Sequence, residues 1–166
     1  MDKFDDTKMA LTFAALSASA TRNQLCAQKA EKQGDLQWAK LLEAIAQSES
    51  IKTRRALVYL RGRITDVETY MQELLFHKKQ MFSEEYPATA AAYTDKGKRH
   101  EAETFARYAA VAKNHYLLLN EIEEGNITEG TQYCVCNVCG YIAQNAVPEK
   151  CPVCNAVPDK FKVLHA

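Results

Sequence analysis

The chain has few of the residues that interrupt helices, six glycines and four prolines in 166 residues, and none of either occurs before Gly34. That leaves no turn signal in the first 33 residues and excludes a strand-and-turn architecture there. Net charge is also lacking: 21 basic and 21 acidic residues cancel, so nothing in the charge balance suits a nucleic-acid binder. No stretch approaches the roughly eighteen apolar residues that span a bilayer. The start, MDKFDDTK, is acidic where a secretory signal would be basic and then apolar. A cytoplasmic protein with no membrane partner is expected. About half the residues, 47%, are hydrophobic, enough for one good core plus a small stapled module.

What is present is concentrated near the C-terminus. Cys136 and Cys139 in CNVC, and Cys151 and Cys154 in CPVC, make two CxxC hooks eleven residues apart. A tight turn can present two such thiolates to one ion, and a second pair completes the four-coordinate shell that iron or zinc accepts from sulfur. Gly140, after the first hook, can take the positive φ that closes the turn and aims backbone N–H groups at the sulfurs. Asn155 holds the equivalent place after the second hook and tolerates that conformation. Pro152 stiffens the second hook. A reducing cytosol disfavours disulfides, which agrees with metal thiolates. Cys26 and Cys134 lack such spacing; Cys26 reads as a small core residue and Cys134 as a spare thiol.

Everything before the hooks reads as helix. Residues 7–33 are rich in Ala, Leu, Lys and Gln, with Asp5, Asp6 and Thr7 as N-cap candidates and Gly34 as the stop. A second helix runs from Asp35 to Gly62, apolar at Leu41, Leu42, Ile45, Ala46, Leu57 and Leu60. The short connection makes the two an antiparallel αα-hairpin. Thr65 or Asp66 caps a third helix, apolar at Val67, Met71, Leu74, Leu75 and Phe82, which Pro87 should kink or break. A fourth runs from Lys98 to Gly125 through Phe105, Tyr108, Val111, Leu118 and Ile122. Tyr59, Tyr70, Tyr93, Tyr108 and Tyr116 fall at helical spacing and read as core packing. Four long helices predict a bundle.

After Gly125 the composition changes. The polar stretch NITEGTQ contains Gly130 and suits a linker, and from Tyr133 short β-prone pieces alternate with hooks and prolines. A boundary is expected between a bundle, residues 1–130, and a four-cysteine module, residues 131–166. Apart from Tyr133, Tyr141, Ile142, Val147, Phe161 and Val163 the module has little apolar core. The metal must therefore supply much of its folding energy.

A helical bundle followed by CNVCGYIAQNAVPEKCPVCNAVPDKF resembles the rubrerythrin family, with further likeness in Glu85-Tyr86-Pro87 and in Arg22-Asn23. The resemblance covers nearly the whole chain. It implies a mainly α fold, a ferritin-like four-helix bundle with a small C-terminal rubredoxin-like β module holding one iron in four cysteines. It also implies a di-iron centre in the bundle, peroxide reduction fed by electrons from the cysteine site, and a homodimer.

The bundle residues depart from that pattern. A carboxylate-bridged di-iron site needs a Glu from each of two helices and a Glu-x-x-His pair from each of the others. Helix one has no Asp or Glu between Met9 and Ala30, and helix four none between Thr104 and Asn120. Helix three has none between Glu73 and Glu84. Aligned on the family pattern, Ala18, Lys52, Lys78, Met81 and Ala112 stand at ligand positions, and only Glu49 and His115 survive. Hard ferric ions need oxygen anions for ligand field and charge balance, so a di-iron centre is not expected. Two readings of the lysines stay open: Lys52, Lys78 and Lys113 point inward and pair with Glu49, or they reach solvent while Ala18 and Ala112 close the core.

Three functional readings follow. In the favoured one, Cys136, Cys139, Cys151 and Cys154 hold one Fe and the protein carries single electrons to an external redox partner protein. In a second, the same cysteines hold Zn and the chain is a structural interaction protein. In the third, some other ligand set rebuilds the bundle site and the chain is a rubrerythrin-type peroxidase. Catalytic residues are not assigned.

Overall fold

The computed structural model describes residues 3–62 and 66–164. The chain falls into two compact units, Met1–Thr65 and Asp66–Ala166.

The first unit is a helical hairpin of α1 (Lys3–Lys32) and α2 (Leu36–Arg61). Asp5, Asp6 and Thr7 lie inside α1 and do not cap it, because strong helix formers follow them without interruption. At its other end the Asp35 N–H bonds the Ala30 carbonyl at 2.9 Å and the Gly34 N–H bonds the Glu31 carbonyl at 3.0 Å. This pair of bonds requires a left-handed residue at position 34, and Gly34 supplies it with φ of 83°. Asp35 then sits at the N-cap of α2, though its side chain makes no capping bond.

Small side chains fill the seam of this hairpin: Ala20, Ala27 and Ala30 of α1 and Ala46 and Ala56 of α2 are buried. Alanine lets the helix backbones approach closely, so the larger residues expected inside are displaced outward. Leu41, Ile45 and Leu57 are exposed, as is Tyr59. Cys26 is exposed too, one position off the seam that Ala20, Ala27 and Ala30 define.

The second unit begins with α3 (Val67–Gln80), capped by the Asp66 carboxylate, which accepts the Thr69 N–H at 2.7 Å. Thr65, the other cap candidate, lies outside the described residues. A π-helical turn, Met81–Glu85, joins α3 to α4 (Tyr86–Asp95). The interruption thus falls before Pro87, and the chain stays helical through it. In the turn, the Tyr86 N–H bonds the Met81 carbonyl five residues back. Pro87 is the second residue of α4, directly after the π turn, so the change in the hydrogen-bond ladder falls where a proline has no N–H to give. After Gly97, α5 (Arg99–Glu123) packs against both α3 and α4.

Aromatic contacts hold this packing. Phe105 of α5 lies 6.0 Å from Tyr86, 5.6 Å from Tyr93 and 5.6 Å from Tyr108, while Phe82 and Tyr116 meet at 5.3 Å. Such ring pairs add about 0.5–1.5 kcal/mol each beyond area burial. Tyr108 keeps its outer face in solvent, and Tyr70 is likewise exposed.

Three antiparallel strands follow in the order β2-β1-β3: β1 (Tyr133–Cys136), β2 (Ile142–Gln144) and β3 (Phe161–Leu164). Cys134 stands opposite Ala143 on β2 and Val163 on β3 and is only 2% exposed. It is part of the module's apolar centre rather than a spare thiol. Helices and sheet together make a mainly α fold with a small C-terminal β module. The compositional boundary near residue 130 falls inside the second unit, because α5 side chains bond directly to β2. Among the described residues no helix is long and apolar enough to cross a membrane.

Candidate metal centre

Both hooks are built by the same backbone pattern. The Cys136 carbonyl accepts the Gly140 N–H at 2.8 Å, and the Cys136 N–H donates to the Tyr141 carbonyl at 2.8 Å. At the second hook the Cys151 carbonyl accepts the Asn155 N–H and the Cys151 N–H donates to Ala156, both at 2.9 Å. Each loop closes through a left-handed residue, Gly140 at φ of 85° and Asn155 at 58°. Strand β1 delivers the first hook; the second is held by its own loop and by the chain leading to β3.

The four sulfurs of Cys136, Cys139, Cys151 and Cys154 lie within 4.8 Å of one another. Cys136 Sγ is 3.7 Å from Cys154 Sγ, and Cys139 Sγ is 3.6 Å from Cys151 Sγ. A tetrahedron with metal–sulfur bonds near 2.3 Å has edges of about 3.8 Å, so the spacing fits one four-coordinate ion. The three-stranded module therefore carries a four-cysteine metal site. Cys136 and Cys151 are buried, while Cys139 and Cys154 are partly exposed. In the metal-free thiol set, burial works to raise Cys136, but N–H groups of Val138 and Cys139 at its sulfur outweigh it and the net shift is downward. Burial raises Cys139, against the N–H of Tyr141, and raises Cys154, against the N–H of Ala156. Amides at three sulfurs favour thiolate, which is also the form that binds metal.

The bundle positions are arranged differently. In the first unit Glu49 Oε2 accepts a hydrogen bond from Asn23 Nδ2 at 3.0 Å. Ala18 and Lys52 are exposed. In the second unit Ala112 is buried, Lys78 and Met81 are half-buried, and Lys113 is exposed. For Lys52 and Lys113 the solvent reading holds, and the buried Ala112 closes a core position. His115 Nε2 donates to the Gly140 carbonyl at 3.1 Å, and burial lowers its pKa below the ordinary histidine value. His77 and His100 are exposed; His165 lies outside the described residues.

Besides the His115 bond, three more hydrogen bonds between α5 and the module were not read from the sequence. Asn114 Nδ2 donates to the Ile142 carbonyl at 3.1 Å, and Asn114 Oδ1 accepts the Ile142 N–H at 2.9 Å. Glu121 Oε2 accepts from Gln144 Nε2 at 2.9 Å. The one sequence signal was the helical spacing of Val111, Asn114, His115, Leu118 and Glu121, which places them on one face of α5.

A sequence model of the rubrerythrin rubredoxin-like domain matches residues 135–162, which hold all four hook cysteines. Rubrerythrin-1 of Clostridium acetobutylicum is 27% identical, over 92% of this chain and 90% of its own length. Among solved structures, nigerythrin in a partially reduced state matches 96% of this chain and 86% of its own, at 19% identity and a TM-score of 0.56. Nigerythrin in its fully reduced, all-ferrous state matches the same shares at 20% identity and a TM-score of 0.54. The structural likeness shows a shared fold. Domain model, whole-length relative and fold agree in their likeness: the chain is similar to rubrerythrins over nearly its whole length, and residues 135–162 match their rubredoxin-like domain.

Proposed function

We propose that this protein is an electron carrier that binds one iron in Cys136, Cys139, Cys151 and Cys154 and lacks the di-iron centre that its resemblance to rubrerythrins implies. The observation that carries the reading is the missing carboxylates: where the resemblance places ligands, Ala18 and Lys52 are exposed, Ala112 is buried and Lys78 and Met81 are half-buried, so that only Glu49 and His115 remain. Neither could balance the charge of two ferric ions without carboxylates that the sequence does not supply.

The protein's share in the chemistry is to hold the sulfurs and tune them. Iron in this site supplies a one-electron couple that needs little rearrangement of its ligands. Amides at Cys136, Cys139 and Cys154 favour the thiolate charge, and burial of Cys136 and Cys151 limits water at the inner face. The partly exposed Cys139 and Cys154 mark the edge that a redox partner protein would approach.

Exposed Leu11, Leu25, Trp38, Leu41 and Ile51 on α1 and α2 support a homodimer, because soluble chains seldom leave so much apolar surface uncovered. A cytoplasmic location accords with the metal thiolates.

Metal analysis with a visible spectrum, on protein purified from its own host, tests the proposal. About one iron per chain with an iron–thiolate colour is expected. About three irons per chain, together with reductant-dependent peroxide consumption, would establish the peroxidase instead. A colourless protein with one zinc would favour a structural role, a reading supported by the closed shell of four sulfurs with no open position.

A further inference from the structure

We infer that Asn114 is a positioning residue that seats the four-cysteine module on α5 of its own chain and so fixes the surroundings of the first hook. Strand β2 is an edge strand, paired only with β1. Ile142 stands opposite Val135, next to the bond from the Cys136 N–H to the Tyr141 carbonyl. By the alternation of an antiparallel ladder, its own N–H and C=O face away from β1. Those two groups would otherwise be open to water or to another chain. The Asn114 amide meets both, donating at 3.1 Å and accepting at 2.9 Å, as a neighbouring strand would. Only a side chain with one donor and one acceptor at this reach can do so.

The contact is built along one face of α5. Val111, Asn114, His115 and Glu121 follow one another at helical spacing. In the same order they meet Gly140, Ile142, the Gly140 carbonyl and Gln144. At Gly140 the approach is close enough that an added Cβ would touch Val111 Cγ1 at 3.8 Å. The segment from Cys139 to Ile142 is therefore held against a rigid helix instead of hanging on the linker. Because hydrogen bonding and water access at the sulfurs set the potential of an iron–thiolate site, a clamp beside Cys139 reaches the metal through the backbone. The potential rests on the iron reading above; the seat itself does not.

The two parts are tested separately on the full chain. With zinc loaded, backbone amide exchange and 15N relaxation are compared in wild type, Asn114→Leu, Asn114→Asp and the exposed control Lys113→Ala. In Asn114→Leu the Ile142 amide should exchange about tenfold faster, and the module's relaxation should separate from that of α5. Asn114→Asp keeps the acceptor but sets a carboxylate against the Ile142 carbonyl, so it should protect the amide better than Leu while still loosening the module. If Asn114→Leu does not fold, the Asp variant decides. Unchanged exchange and relaxation in the variants that fold would overturn the inference. With iron loaded, the midpoint potential should shift in the Asn114 variants and not in Lys113→Ala. A loosened module with no change of potential would reduce Asn114 to a structural clamp and overturn its role at the hook. Failure to load iron at all would instead count against the electron-carrier reading.

Discussion

Asn155 stands in the second cysteine hook where Gly140 stands in the first, each directly after the hook's second sulfur and each with positive φ, 58° and 85°. The two positions differ in what a side chain would cost. Asn accepts the left-handed region with little penalty, whereas other residues pay about 1–2 kcal/mol there. Gly140→Ala should therefore lower the module's stability by about 1 kcal/mol through backbone strain. Contact with Val111 is not the cause, because 3.8 Å is ordinary packing. Asn155→Gly should be nearly neutral and Asn155→Ala should resemble Gly140→Ala. Rates of metal loss to a chelator in the three variants check this ranking.

Removing the metal should dissolve the module and spare the helices. Among its most buried residues are three cysteines, Cys134, Cys136 and Cys151, two of them ligands. Without an ion the remaining apolar contacts are few. Chelation should erase amide protection in β1, β2 and β3 while helical circular dichroism falls only slightly. Loss of most helical signal on chelation would show that the helices depend on the metal as well.

His115 makes the seat sensitive to acid. Burial lowers its pKa from the ordinary value of 6.5, so the folded chain holds it neutral while the unfolded chain takes up a proton below about 6.5. The stabilising contribution is complete above that pH and is lost as pH falls through the lowered folded value. Wild type should thus lose more stability than His115→Gln between pH 7.5 and pH 5. Taking the difference between the two cancels the acid sensitivity of the cysteine site, which both share. Parallel denaturation midpoints in the two proteins would contradict the prediction.

The Asn23–Glu49 bond predicts which substitutions in the first unit matter. Asn23→Ala or Glu49→Leu should each cost about 0.5–1.5 kcal/mol, and the double variant should cost less than their sum. Lys52→Met should stay within about 0.5 kcal/mol, because an exposed lysine contributes little. A large loss from Lys52→Met would revive the pairing of Lys52 with Glu49. Urea denaturation of the four variants provides the measurement.

The cysteine hooks and the helices were legible in the sequence because both rest on local chemistry. Two residues between thiolates, a left-handed residue after each hook, and long runs without Gly or Pro constrain only near neighbours, so they read out from the string. The Asp66 cap, the Gly34 stop and the absence of mid-helix carboxylates in three helices were visible for the same reason. Tertiary structure alone decided which apolar residues enter a seam. Alanines took the α1–α2 contact because backbones pack closest around small side chains, which left Leu41, Ile45 and Tyr59 outside. It also decided that a π turn carries the chain past Pro87. The partners of Glu49 and His115, and the grip of Asn114 on Ile142, were likewise tertiary. Each joins atoms 25 to 28 residues apart, and no local spacing encodes a bond across that distance.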